Sequence, residues 1–397
     1  MKVRSWDMQS YTSHTNQSYK TEMRILHVFQ RLYRYGGSYI AARNMAQAQA
    51  ESGHEVAILS TAVQANERLE VPDDIQVYLA DISYIASRMP IHRKINVLLE
   101  KIYSDFMPDV VHLHGVWDTI LHKSAVFFES RGIPLIQSTH GLLMQGALRE
   151  KSWKKHIALA LYQRRDLRRV AAFHTTSKQE TSDLRCMGIT AHIKEIPLSI
   201  PTPTVSEDRY ASMQHAPKRL LFLSRIYPIK GVLPLIRAWH AVQPTGWELM
   251  ICGPDDGGHL KEVTSLVQEL GLESTVLFHG AVQGEEKEQM YKSADLFILP
   301  SYSENFGMAV LEALSYGIPV LTTQGTPWKI IEDYQAGSWF SHSPSNLEQA
   351  IKQYTAMPKE GLITLSNNAL RLYHDHFSSQ TISDKLIALY SKRKESH

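Results

Sequence analysis

Glu304 and Glu312 flank the turn of the segment Pro300-Ser301-Tyr302-Ser303-Glu304-Asn305-Phe306-Gly307-Met308-Ala309-Val310-Leu311-Glu312-Ala313, where an apolar run gives way to a polar loop and then to an apolar helix. At a helical rise of about 1.5 Å per residue the two carboxylates would stand roughly 12 Å apart, a span that suits an elongated ligand. A sugar nucleotide is such a ligand. Each carboxylate could accept hydrogen bonds from one hydroxyl-rich ring, while backbone N–H groups at the helix start near Phe306 and Gly307 meet the diphosphate between them. The competing reading makes Glu304 a helix-start acid favoured by the macrodipole and leaves Glu312 solvated.

A second segment, Phe222-Leu223-Ser224-Arg225-Ile226-Tyr227-Pro228-Ile229-Lys230-Gly231, delivers Arg225 to the end of a strand and places Lys230 just before a glycine. A guanidinium fork and an ammonium point charge together can neutralise the charge that develops on a departing nucleoside diphosphate. Gly36-Gly37-Ser38, ahead of a helix, would let the backbone approach a phosphate or an acceptor, although the full dinucleotide fingerprint is missing. His112 and His114 lie two apart on a strand and so share a face, and His140 ends the next candidate strand. No carboxylate or cysteine completes a ligand set at metal spacing, so no metal is expected. His140 reads instead as a polar group reaching the sugar, and His112 and His114 as core or surface histidines. Lys151, Lys154, Lys155, Arg164, Arg165 and Arg168 are interleaved with Trp153, Leu159, Leu161 and Tyr162 at roughly helical spacing. Such a stretch can rest on anionic headgroups or receive a pyrophosphate-linked lipid acceptor; the plainer alternative is a solvated helix face.

The elements that must position these residues alternate short apolar runs with longer amphipathic stretches, the pattern of βαβ units and a parallel sheet. Arg24 to Phe29 reads as a strand, Tyr39 to Ser52 as a helix ended by Gly53, and Glu55 to Ser60 as the next strand. Val110 to His114 and Pro134 to His140 continue the series. The pattern restarts at Arg219 to Leu223, and its later strands are Glu248 to Gly253, Thr275 to Phe278, Leu296 to Pro300 and Pro319 to Thr322. This predicts an α/β chain of two doubly wound domains, 23–200 and 218–378, joined by a linker at 201–217. Residues 379–397 should form a closing helix, with Ile382, Leu386, Ile387 and Tyr390 at helical spacing.

Composition narrows the class. The 397 residues are 43% hydrophobic and 21% charged, which suits folded domains and is too long for one ordinary core. Cys186 and Cys252 indicate neither a disulfide framework nor a thiolate zinc site, so a reduced, cytoplasmic protein is expected. A formal net charge of +2 gives no reason to expect nucleic acid. The polar first twenty-two residues carry no apolar signal core and read as an extension ahead of the fold; no run is long enough to span a bilayer.

Taken in order, Gly36-Gly37, Asp109-Val110-Val111-His112-Leu113-His114, Thr139-His140-Gly141, Arg225 with Lys230-Gly231, and Glu304 to Glu312 resemble glycosyltransferase family 4, a family of retaining enzymes with the GT-B fold of two Rossmann-like domains facing each other across a cleft. The resemblance covers nearly the whole chain from Met23. It implies that Arg225 and Lys230 hold the donor diphosphate, Glu312 the ribose and Glu304 the transferred sugar, with Gly37, Asn305, Phe306 and Gly307 also at the donor and His140 lining the cleft. It further implies that no metal or other cofactor is needed, the nucleoside diphosphate sugar being the donor substrate. The stretch from His140 through Trp153-Lys154-Lys155 to Thr175-Thr176-Ser177 is similar to bacterial members that build exopolysaccharide, O-antigen or lipopolysaccharide. That implies a saccharide or polyprenyl-pyrophosphate-linked acceptor and peripheral contact with the inner face of the cell membrane. The chain departs from the family pattern at Ser224, where a glycine is usual, and at Ile196-Pro197-Leu198-Ser199. A sugar-nucleotide epimerase or hydrolase of related fold, and a silent sugar-nucleotide-binding scaffold, are the alternatives.

Overall fold

A computed structural model describes residues 22–31, 37–61, 70–80, 93–144, 148, 157–203 and 216–394. The expected extension lies outside the described residues as far as residue 21, and so does most of the expected linker. The first sheet is built from β1 (Arg24–Arg31), β2 (Glu55–Thr61), β3 (Gln76–Ala80), β4 (Val110–His114), β5 (Leu135–Ser138), β6 (Ala172–Thr175) and β7 (His192–Glu195), in the order β3-β2-β1-β4-β5-β6-β7. The second contains β8 (Lys218–Leu223), β9 (Trp247–Cys252), β10 (Val276–Gly280), β11 (Leu296–Leu299), β12 (Val320–Thr323) and β13 (Gly337–Phe340), in the order β10-β9-β8-β11-β12-β13. All pairings between these strands are parallel.

Helices cover both faces of such sheets, so their inner strands are buried along their whole length and read as continuous apolar runs. In β11, Leu-Phe-Ile-Leu is buried at every position, and so is Val-Val-His-Leu-His in β4. The polar exceptions in β4 are thereby forced to find partners inside. Helix starts are set locally: Asp118, Ser177 and Ser343 each cap a helix by accepting a backbone N–H.

Strand order reverses beside the first strand of each sheet, between β1 and β4 and again between β8 and β11. Crevices outside the carboxyl ends of parallel strands at such a point are where ligands bind. After the helix Lys359–Phe377, the helix Ser379–Lys394 returns to the first half, where Ser383 Oγ meets Ser52 Oγ at 3.0 Å and Tyr390 Oη accepts from Gln49 Nε2 at 3.1 Å. Ile382, Leu386, Ile387 and Tyr390 are buried, as their spacing predicts.

Candidate active site

Arg225 follows β8 directly. The backbones after β8 and β9 run side by side here, with Ile226 N–H donating to the Pro254 carbonyl at 2.8 Å. A Cβ at Gly253, where φ is 147°, would collide with the Ser224 carbonyl oxygen, so this close approach requires glycine. It carries Asp256 to Arg225, and the two form an ion pair at the rim, with the Arg225 side chain more than half exposed.

Lys230 ends the short turn Pro228–Lys230, and Gly231 follows in the left-handed region with φ 75°. A side chain at Gly231 would strike the Pro300 carbonyl, and Tyr302 N–H donates to the Ile229 carbonyl at 2.8 Å. The turn is therefore pinned against the end of β11, and the buried Lys230 ammonium pairs with Glu304. Ser301 Oγ donates to the same carboxylate oxygen at 2.9 Å.

The helix that follows spans only Met308–Ser315, with Gly307 as its cap at φ 85°. Glu304 thus sits in the loop outside it, and the helical rise used to estimate the spacing of Glu304 and Glu312 holds only from Met308 onward. Glu312 is not solvated. Lys287 Nζ donates to its Oε1 at 2.6 Å and Tyr291 Oη to its Oε2 at 2.7 Å. Both donors come from one face of the helix Gly284–Lys292, four residues apart. Burial, with the neighbouring Glu312 charge, holds the Tyr291 phenol well above its ordinary value, so it remains a donor.

From the first half, His140 and Gly141 both take left-handed conformations, φ 50° and 76°. Glu180 holds this bend. Its Oε1 accepts from Thr139 Oγ1 and from Gly141 N–H, both at 2.6 Å, and its Oε2 accepts from Thr176 N–H at 2.9 Å and Thr176 Oγ1 at 3.2 Å. Asn305 Nδ2 in turn donates to Thr176 Oγ1 at 3.1 Å. The loop bearing His140 is thus tied across the cleft to the loop bearing Glu304.

One cleft of about 410 Å³ unites these groups: His140, Arg225, Lys230, Glu304, Asn305, Phe306, Gly307 and Glu312 all line it. Gly37 begins the helix Gly37–Glu51, two residues before the expected Tyr39, and Ile40 from that helix reaches the cleft. Lys287, Asp256, Tyr291 and Glu180 were not found by sequence reasoning. For Glu180 the signal was available, since Ser177-Lys178-Gln179-Glu180 has the spacing of a capping box. The partners of Arg225 and Glu312 come from separate βα units, and no local pattern marks them.

Ring nitrogens of His27, His112 and His114 come within 4.8 Å of one another. All are already hydrogen-bonded: those of His27 to His114 and Gln49, those of His112 to Tyr390 and Ser138, and those of His114 to His27 and His140. A metal ion would have to break these hydrogen bonds, which already engage both nitrogens of all three rings, and no carboxylate joins the trio among the described residues, so the trio does not fit one. His112 and His114 are core histidines, each at most 3% exposed.

Of the basic stretch, Lys151, Lys154 and Lys155 lie outside the described residues. Arg164 and Arg165 are exposed at the start of the helix Arg164–Arg169, after a π-helical turn at Leu159–Gln163. Leu161 and Ile157 are also exposed, at 67% and 50%. Asp166 points the other way, 2.7 Å from His122. Among the described residues no helix is long and apolar enough to cross a membrane.

The family model described as Glycosyl transferase 4-like domain matches residues 36–198, and the one described as Glycosyl transferases group 1 matches residues 208–369. An uncharacterized glycosyltransferase of Methanocaldococcus jannaschii is 29% identical over 187 residues, 46% of this chain and 47% of the relative. The alpha-monoglucosyldiacylglycerol synthase of Streptococcus pneumoniae is 28% identical over 181 residues, 45% of this chain and 41% of the relative. The chain spans less than half the length of these curated relatives. Among solved structures, Anabaena HepE in complex with UDP and glucose superposes with a TM-score of 0.71 at 17% identity, covering 94% of this chain and 100% of its own. At that identity the likeness concerns the fold.

Proposed function

Since the chain belongs to glycosyltransferase family 4 and has the GT-B fold, we propose that it moves a hexose from a nucleoside diphosphate sugar to a saccharide or lipid-linked saccharide acceptor, with retention at the anomeric carbon, in assembly of a bacterial surface polysaccharide. The observation that carries this reading is the single cleft in which Arg225 and Lys230, Glu304 and Glu312, and His140 converge from the strand ends of both sheets.

In this reading the donor diphosphate lies between Arg225 and Lys230. The Lys230 ammonium has three donors, so it can keep Glu304 in place while turning another N–H to phosphate. Glu304 accepts from hydroxyls of the transferred sugar and Glu312 from the ribose, which displaces or shares Lys287 and Tyr291. The bond from the anomeric carbon to the phosphate oxygen breaks as the acceptor oxygen attacks from the same face, and the acceptor proton passes to the leaving phosphate oxygen. Positioning and stabilisation of the departing charge supply the rate enhancement, and no metal is required for either. Exposed Arg164, Arg165 and Leu161 suit peripheral contact with an anionic membrane where a lipid-linked acceptor resides.

Calorimetry across uridine, guanosine and adenosine diphosphate sugars, without added metal, tests the donor site. One donor should bind, and Arg225→Ala should abolish that binding; a panel with no binder would sink the assignment. Donor consumed at full rate without acceptor would replace transfer by epimerisation or hydrolysis.

A further inference from the structure

A continuous chain of hydrogen bonds runs through the interior of the first half and ends at His140. Its far end is the Ile196 backbone carbonyl, just beyond β7, which can only accept. His174 Nε2, at 2.8 Å from that oxygen, must therefore carry a proton. With a neutral ring, His174 Nδ1 is then an acceptor and takes the hydroxyl proton of Ser138 at 2.8 Å. The serine has no second proton, so His112 Nε2, at 2.7 Å, must donate to it. His112 Nδ1 accepts in turn from Tyr390 Oη at 2.6 Å.

Tyr390 has now spent its proton, which fixes the amide of Gln49: its NH₂ donates to Tyr390 Oη at 3.1 Å, and its oxygen faces His27 Nε2 at 2.7 Å. His27 therefore donates from Nε2 and accepts on Nδ1 from His114 Nε2 at 2.8 Å. His114 Nδ1, finally, accepts from His140 Nε2 at 3.1 Å. No described residue partners His140 Nδ1, on a ring that lines the cleft.

Every step requires neutral rings, and burial supplies that condition. It lowers His27 to about 4 and His140 to about 3, and it depresses His112, His114 and His174 as well. A protonated imidazole within the chain would put two donors face to face.

We infer that this chain locks His140 in the Nε2–H tautomer, so that Nδ1 offers a lone pair to a hydroxyl of the bound sugar, and that Gln49 and Tyr390 are positioning residues for it. Gln49 is the element that sets direction: a flipped amide would reverse every donor and acceptor from His27 to His140. Tyr390 prevents the flip, and it belongs to the helix Ser379–Lys394, which reaches the first half only after the chain has built the second. The inference draws on the transfer reading only where it gives His140 a sugar hydroxyl to meet; the tautomer itself is a property of the free protein.

Proton–nitrogen correlation spectra of the full chain with ¹⁵N-labelled histidine, without substrate, test it directly, the His140 signals being identified by their loss in His140→Gln. The expected pattern is a protonated Nε2 and a bare Nδ1 at neutral pH. In Tyr390→Phe the freed Gln49 amide should let His140 populate both tautomers. With a donor found by the calorimetric panel, Tyr390→Phe should lose about twofold in kcat/KM, the inverse of the fraction of His140 left in the Nε2–H tautomer. A wild-type His140 protonated on Nδ1, or a Tyr390→Phe spectrum identical to wild type, overturns the inference. If the variant fails to fold, the wild-type tautomer still decides. Absence of transfer with the expected spectrum would sink the functional reading alone.

Discussion

Replacing Glu180 by glutamine should loosen the bend that carries His140 without changing its shape or volume. The carboxylate faces donors on both oxygens: Thr139 Oγ1 and Gly141 N–H on one, Thr176 N–H and Oγ1 on the other. The hydroxyls can rotate to accept from an amide NH₂. The backbone N–H groups cannot. Whichever way a glutamine turns, one of Gly141 and Thr176 is left with its buried N–H facing another N–H. An unsatisfied buried donor costs about 1–3 kcal/mol, and the charge-assisted bonds that survive are also weakened. A net cost of about 2–3 kcal/mol corresponds to opening of this loop roughly 30 to 150 times more often. Hydrogen exchange resolved at Gly141 and Thr176 reads that opening, with amides of β4 and β11 as internal controls. If His140 meets the sugar as proposed, in a fixed geometry, transfer should fall alongside. Exchange at both amides equal to wild type would refute the reasoning.

Lys230→Ala and Glu304→Gln should each lower transfer by more than about tenfold while circular dichroism and thermal unfolding stay near wild type, as expected for groups acting on developing charge; near-normal turnover in both would contradict their assignment. Arg164→Glu with Arg165→Glu should weaken binding to vesicles containing anionic lipid, and the wild-type binding should fade with added salt; sedimentation showing equal binding would remove membrane contact from the picture. Acid should destabilise the first half through its buried histidines. His27 has a folded-state value of about 4 against an ordinary 6.5, so the unfolded chain takes up a proton in that interval and the folded chain does not. Stability is fully present above 6.5 and declines as the pH falls towards 4, by about 3 kcal/mol for this residue. Denaturation midpoints measured across that window check the slope, and a flat profile would mean that the histidines charge without unfolding.

Much of the candidate site could be read directly from the amino-acid order. Continuous apolar runs such as Leu296–Leu299 can be buried on both faces only in a parallel sheet, and parallel strands bring their carboxyl ends to one edge. Arg225, Glu304 and His140, each just beyond such an end, therefore had to gather at the crevice. The spacing in Ser379 to Tyr390 was enough to give a helix with one buried face, although not the helix it would cover.

What the tertiary structure alone decided is which group answers which. Lys287 meets Glu312 across 25 residues, Glu180 meets Gly141 across 39, and Tyr390 meets His112 across 278. Periodicity reports which side of an element faces inward, because that depends on neighbours along the chain. The partner waiting on that side is set by how βα units stack, and a buried polar group such as His112 or Gln49 acquires its donor or acceptor role only there, since inside the protein every proton must have somewhere to go.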